Sequence, residues 1–156
     1  MKSKKQITLL LCDTYLAMVK NSVGTKMFRN FYAHADGKRM DVMRNGDLSC
    51  AFFVSSVLST LALGKATHGT VDSTVKDMKQ SGWNPSKKLV SGSILVWEEK
   101  KRHAHIGFYI GNEKAISNSS KKGSPAIHHF TYGVKNGEPA RKIEAIYWHQ
   151  KLSSKK

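Results

Sequence analysis

Cys50 opens the segment with the most unusual chemical arrangement in the chain. In Asn45-Gly46-Asp47-Leu48-Ser49-Cys50-Ala51-Phe52-Phe53 a cysteine directly follows a polar loop and begins a strongly apolar run. In the first turn of a helix, unpaired backbone N–H groups and the positive end of the helix dipole stabilise a thiolate and lower the thiol pKa. The same N–H groups can hold a developing oxyanion. Position alone leaves two readings open: a nucleophile, or a small buried residue of the kind cysteine often is.

A nucleophilic thiol needs a base, and His103-Ala104-His105-Ile106-Gly107-Phe108-Tyr109-Ile110-Gly111 supplies candidates. Strand alternation puts His103, His105, Gly107 and Tyr109 on one face. Gly107 removes a side chain beside His105 and lets another element approach closely. A third group should then hold the imidazole by its other nitrogen. The segment Lys114-Ala115-Ile116-Ser117-Asn118 ends in two polar residues near the right place. Alternation turns Asn118 away from the face of Ser117, so a bulge would be required to use it. Both residues stay candidates, and ordinary strand-edge polarity is the competing reading. One of His128 and His129 must face inward, either lining a cleft or serving as a plain strand residue. His34 and His68 read as solvated loop residues, and His149 as structural or exposed. HExxH, CxxC and Gly-rich phosphate loops are absent from the sequence, so neither a metal nor a cofactor is expected.

The elements that must position these residues follow from periodicity. Residues 6 to 23 read as a helix with Leu9, Cys12, Tyr15, Leu16 and Val19 on one face and Gly24 as its stop. Residues 35 to 47 lack a period and read as loop. Asp47 or Ser49 offers an N-cap for a helix running to Leu63, and Thr70 caps a third helix ending near Gln80 and Gly82. After Pro85 come short runs rich in β-branched and aromatic residues: Ile94 to Trp97, Ile106 to Ile110, Lys114 to Asn118, Ala126 to Phe130 and Ile143 to Trp148. Gly111-Asn112 reads as a hairpin connection. The expected class is α+β, with N-terminal helices packed on a C-terminal antiparallel sheet of about five strands.

Composition sets the frame. The chain has 156 residues and a formal net charge of +15, and 40% of its residues are hydrophobic. That is too apolar for disorder and is the size of one domain. A single domain over 1–156 is expected, with Lys-rich tails at about 1–5 and 151–156 flexible. Of 26 basic residues 21 are Lys and five are Arg. Lys is a well-hydrated point charge, so the surface suits solubility and general attraction to polyanions rather than base reading. Cys12 and Cys50 are too few for a disulfide framework, which favours a reduced environment. The apolar run Ile7 to Cys12 spans only six residues before Asp13, too short for a signal peptide, so the expected location as synthesised is the cytoplasm. Leu48 to Leu63 is interrupted by serines and, at sixteen residues, fits a buried helix rather than a membrane span.

On these residues the chain resembles the NlpC-type cysteine peptidases of the papain-like superfamily. That family cuts peptides of bacterial cell walls and is related to the CHAP amidases. Its pattern runs Asp-Cys-Ser-Gly at a helix start, then a Pro-Gly-Asp-Leu-Val-Phe-Phe strand, then His-Val-Gly-Ile-Tyr-Leu-Gly-Asn. Here the counterparts are Leu48-Ser49-Cys50-Ala51, Val90-Ser91-Gly92-Ser93-Ile94-Leu95-Val96-Trp97, and His105-Ile106-Gly107-Phe108-Tyr109-Ile110-Gly111-Asn112. The last is the most specific match. The resemblance implies a papain-like fold, Cys50 as nucleophile, His105 as general base, and cleavage of a cell-wall peptide or other amide through an acyl-enzyme. Ser49-Cys50-Ala51 departs from the family pattern, since no acidic residue precedes the cysteine. Ser117 stands where the family usually has a His and, as a neutral hydroxyl, gives an imidazolium little electrostatic help. Asn118 resembles the Asn of other papain-like enzymes. Tyr32 is the nearest counterpart of a family Tyr that lines the oxyanion region.

Two further readings compete with the hydrolase. The Lys tails and scattered aromatics fit a basic module that binds nucleic acid or another polyanion without catalysis, although Arg is scarce and an RNP-like motif is absent. A catalytically dead relative used for binding is the other. Action on a cell wall would require a release route other than a signal peptide.

Overall fold

Ile94 to Trp97 and Ile106 to Ile110 are runs without a charged residue, and the strands that hold them bury side chains on both faces. The computed structural model describes residues 3–153. Its helices are α1 (Leu11–Asn21), α2 (Cys50–Thr60) and α3 (Val71–Gln80). Its strands are β1 (Tyr32–Ala35), β2 (Lys38–Asp41), β3 (Trp83–Pro85), β4 (Ile94–Lys100), β5 (His103–Gly111), β6 (Lys114–Ser119), β7 (Ser124–His129), β8 (Val134–Lys135), β9 (Glu138–Pro139) and β10 (Ile143–His149). The main sheet has six strands in the order β3-β10-β4-β5-β6-β7, and every neighbouring pair is antiparallel. This is the expected α+β arrangement of helices followed by an antiparallel sheet.

Ile94, Val96, Ile106, Phe108 and Ile116 turn toward the helices and join Tyr15, Phe53, Val54, Val57 and Leu58 in the larger core. Leu95, Trp97 and Ala115 turn the other way, into a smaller core with Tyr109 and Phe130. Phe53 lies between Phe28 and Phe108, with ring centroids 5.1 and 5.3 Å away. Each such fully buried side chain contributes roughly 1.5–3 kcal/mol, so the helix-side core fixes where α2 begins.

Several elements differ from the sequence reading. The sixth strand is Trp83–Pro85, a three-residue edge that ends at a proline opposite Tyr147, a position an edge strand tolerates. Residues 35 to 47 are not all loop: an Asp36-Gly37 turn, with φ of 50° and 74°, joins β1 to β2. Positive φ at both central residues suits a hairpin, but its arms are largely exposed and therefore carry no apolar alternation. The turn between β5 and β6 falls on Asn112-Glu113, one residue later than Gly111-Asn112. The first helix starts at Leu11 rather than residue 6, leaving Ile7 and Leu9 exposed. Of the expected tails, Lys151 and Leu152 belong to a 3₁₀ turn that buries Leu152 in the larger core, whereas Lys2, Lys155 and Lys156 lie outside the described residues. Among the described residues no helix is long and apolar enough to cross a membrane.

Two loops are pinned by buried or half-buried carboxylates. Asp41 accepts from the N–H groups of Phe31, Met43 and Asn45 and from the Asn30 amide. Partial burial would raise its pKa, but these donors outweigh it and hold the carboxyl at about 2. Asp77 likewise accepts from Lys65 N–H, Ala66 N–H, Ser81 Oγ and His68 Nε2, the last at 2.7 Å, and is also held at about 2. His68 is therefore paired rather than solvated.

The loop that delivers Cys50 is docked onto the β6–β7 hairpin through glycine. Gly46 has φ +94°, and a Cβ there would lie 2.6 Å from the Gly123 Cα. Replacing Gly46 with Ala combines a left-handed φ penalty with a clash against backbone, roughly 2–5 kcal/mol together. Gly137, at φ +77° in open space, carries only the first of these. Urea denaturation should therefore show Gly46→Ala losing clearly more stability than Gly137→Ala.

Candidate active site

Cys50 is the first residue of α2, and its neighbourhood is built by three separate elements. Ser49 occupies the N-cap position but makes no capping hydrogen bond, and its buried hydroxyl has no partner. The first N–H groups of the helix are thus left without a side-chain cap. The backbone N–H of Ile106, the residue after His105, acts on the Cys50 sulfur together with those of Ala51 and Cys50 itself. Ile106 sends its side chain into the helix-side core, so β5 meets α2 at the point where the base candidate precedes it.

An open cleft of about 1090 Å³ is lined by Cys50, His105, Ser117, His128, Tyr132 and Arg141, among others. His105 shares the sheet face of Trp97, whose ring lies 5.3 Å from the imidazole. Gly107 pairs with Ser117 across β5 and β6. A Cβ on Gly107 would lie 2.6 Å from the Ser117 Cβ and 3.0 Å from the Trp97 ring. The missing side chain is what lets Ser117 sit beside His105, with its Oγ 2.8 Å from Nε2.

Ser117 and Asn118 part company here. The β6–β7 register runs without a bulge through both residues, so they face opposite ways. Asn118 points to the helix side, where its amide donates to Gly46 O at 2.7 Å and its side-chain carbonyl is buried without a partner. It braces the loop ahead of Cys50, whereas Ser117 is the group on the His105 ring. Tyr32 is not in the cleft: it is 53% exposed on β1, with the Arg39 guanidinium 4.1 Å from its ring centre.

Three residues in the cleft carry more than the sequence reading assigned them. His128 faces inward, with Nε2 2.7 Å from Ser117 Oγ and Nδ1 2.7 Å from the carbonyl of His129. Tyr132 places its hydroxyl 3.0 Å from the same Ser117 oxygen and stacks on His128 at 4.0 Å. Arg141 donates to Glu98 O and His103 O, which fixes its guanidinium at the cleft wall. His129 turns to the following loop, where its Nδ1 accepts from Thr131 N–H and Gly133 N–H. His149 is buried and bonds Ser81 O. Among the described residues no group of three or more His, Cys, Asp or Glu is placed to hold a metal ion.

The electrostatics depart from the sequence expectation of a lowered thiol pKa. Burial raises Cys50 above its ordinary value and outweighs the opposing N–H groups and Arg141. Burial, then Arg141 and His128, push His105 down to about 3. His128 is lowered too, mainly by burial. At rest the cleft is lined by a neutral thiol and neutral imidazoles. Arg141 favours the thiolate and opposes an imidazolium at the same time.

A buried neutral imidazole makes the unfolded chain the better proton acceptor as pH falls. Stability tied to His105 is fully present above about pH 6.5 and is lost as pH falls toward 3. In that window the group adds a slope of about 1.4 kcal/mol per pH unit. His105→Gln should flatten the stability–pH curve there, while the further loss from Asp41 and Asp77 between pH 3.8 and about 2 persists. Arg141→Gln should move the pH profile of Cys50 alkylation upward, because it removes the one cation that lowers this thiol.

No protein-family model and no curated protein sequence matches the chain. Among solved structures it is similar to NlpC2 from Trichomonas vaginalis, with a TM-score of 0.54 and 14% identity over 94% of this chain. The chain spans 50% of the length of that protein. The fold is NlpC-like.

Proposed function

We propose that the protein is a cysteine hydrolase that cuts amide bonds through an acyl-enzyme, with Cys50 as nucleophile and His105 as base. The observation that carries this reading is the Ser117 hydroxyl on His105 Nε2, in a cleft that Cys50 also lines. It engages one ring nitrogen and leaves the other for the thiol. The NlpC-like fold supports the same assignment.

With both groups neutral at rest, proton transfer accompanies attack. His105 takes the thiol proton as the sulfur bonds to the amide carbon, and the carbonyl electron pair moves to oxygen. The uncapped N–H groups at the start of α2 are available to that oxyanion. Collapse breaks the carbon–nitrogen bond, and the amine leaves with the proton from His105. Water, deprotonated by His105, then adds to the thioester, and the thiol departs with its proton restored.

For substrate we propose a bacterial cell-wall peptide. Lys100, Lys101, Arg102, Lys121 and Lys122 line the cleft and suit a partner with carboxylates. The same rim is compatible with a basic polyanion-binding module, so the deciding experiment is a chemical one. Incubation with cell-wall stem peptides should release new amino groups, read by mass spectrometry. Cys50→Ala and His105→Ala should each lose about 10³-fold or more. Iodoacetamide should modify Cys50 in the folded protein, faster as pH rises. Undiminished hydrolysis by Cys50→Ala, or labelling of Cys12 alone, would overturn the assignment.

A further inference from the structure

A serine hydroxyl beside a histidine does not by itself choose which ring nitrogen carries the proton, because the hydroxyl can donate or accept. Here the choice is made one residue further away. His128 Nδ1 lies 2.7 Å from the carbonyl oxygen of His129, which can only accept, so Nδ1 holds a proton. In the neutral ring Nε2 is then a bare lone pair, 2.7 Å from Ser117 Oγ. The only proton available to it is the serine's. With that proton used, Ser117 oxygen has only lone pairs for its two other neighbours. His105 Nε2 at 2.8 Å and Tyr132 Oη at 3.0 Å must both donate to it. Any other arrangement sets two lone pairs against each other at contact distance, which a partly buried site does not tolerate.

We propose that His128 is a positioning residue that sets the tautomer of His105 through Ser117, holding the proton on Nε2 and leaving Nδ1 bare. The catalytic meaning of this rests on the reading of Cys50 and His105 as nucleophile and base: Nδ1 is then the nitrogen that takes the thiol proton. The relay supplies what the neutral hydroxyl of Ser117 lacks alone, a fixed direction for its own hydrogen. Ring planes are held by the stack of His128 on Tyr132, whose planes are 14° apart, and by Trp97, 5.6 Å from His128.

The arrangement holds only while His128 is neutral. Once protonated, its Nε2 becomes a donor and no longer demands the serine hydrogen, so the constraint on His105 is released. The groups facing His128 are His105 on β5, Ser117 on β6, Trp97 on β4, Tyr132 and the neighbouring His129, and Arg141 ahead of β10, with Cys50 across the cleft. The one permanent cation among them, Arg141, works with burial to keep the ring neutral.

Nitrogen-15 NMR of the folded protein near pH 8 tests the assignment without any turnover. The two histidines on one hydroxyl should show opposite tautomers: His128 protonated on Nδ1, and His105 protonated on Nε2. His128→Phe keeps a ring against Tyr132 but removes the acceptor, and the His105 nitrogens should move toward a tautomer mixture. In His128→Gln the side-chain carbonyl can accept from Ser117, and the wild-type His105 pattern should return. On a hydrolysed peptide, His128→Phe should lower kcat about tenfold with KM changed less than twofold, and His128→Gln should recover most of it. The acid limb of kcat that follows His128 should disappear in His128→Gln. A wild-type His105 protonated on Nδ1, or His105 shifts unchanged in His128→Phe, would overturn the proposal. Opposite tautomers in a protein that hydrolyses no amide would leave it standing and count against the proposed function instead.

Discussion

The seating of one helix end against one strand is the constraint on which the rest of the molecule depends. Phe53, Val54, Val57 and Leu58 are buried along α2, and Phe53 is held between the rings of Phe28 and Phe108. At interior packing density such a helix cannot slide without opening voids. The glycine pair at Gly46 and Gly123 and the Asn118 amide on Gly46 O close off the remaining freedom just ahead of Cys50. The position of the sulfur is therefore a property of the hydrophobic core and of backbone contact, not of polar bonds made by the thiol.

That placement has an electrostatic cost. A thiol held this close to the core is desolvated, and so is the imidazole that would receive its proton. Each effect opposes charge separation, and together they disfavour a resting thiolate–imidazolium pair. Arg141 cannot repair this by adding charge, because one cation stabilises the sulfur anion while destabilising the imidazolium. In the proposed hydrolase reading, charge in such a site appears only as bonds to the substrate form. Hydrogen-bond direction then matters more than long-range field, and the network centred on the Ser117 hydroxyl carries that direction.

Much of this was legible in local sequence, and what was not has a common physical origin. The cysteine after a polar loop, the alternation around His105 and the glycine opposite Ser117 all depend on neighbours within a few residues. The contest between Ser117 and Asn118 was open only because a bulge would have reversed it, and the ladder has none there. Arg141 carries no local pattern; it reaches the cleft by bonding carbonyls as much as 43 positions away. His68 looked solvated because its partner Asp77 lies on α3, nine positions further along the chain. The direction of the Cys50 shift could not be read, since a helix terminus favours the thiolate locally whereas burial is a property of the whole fold. The short edge Trp83–Pro85 escaped because its proline argues against a strand in isolation.

Strands β4 to β7 follow one another as adjacent hairpins. His105, Ser117 and His128 therefore come from one uninterrupted meander and Tyr132 from the turn just after it, and their mutual contacts span short stretches of chain. Closing short loops costs little chain entropy. Cys50 belongs to the opposite regime, since its partners on β5 and ahead of β10 are distant along the chain. The polar half of the cleft is thus assembled from low-contact-order pairings, and the thiol joins it through high-contact-order ones. A chain emerging from the ribosome carries its cysteine early and the matching strands late, so the cleft that Cys50 lines is incomplete until β5 to β10 are made.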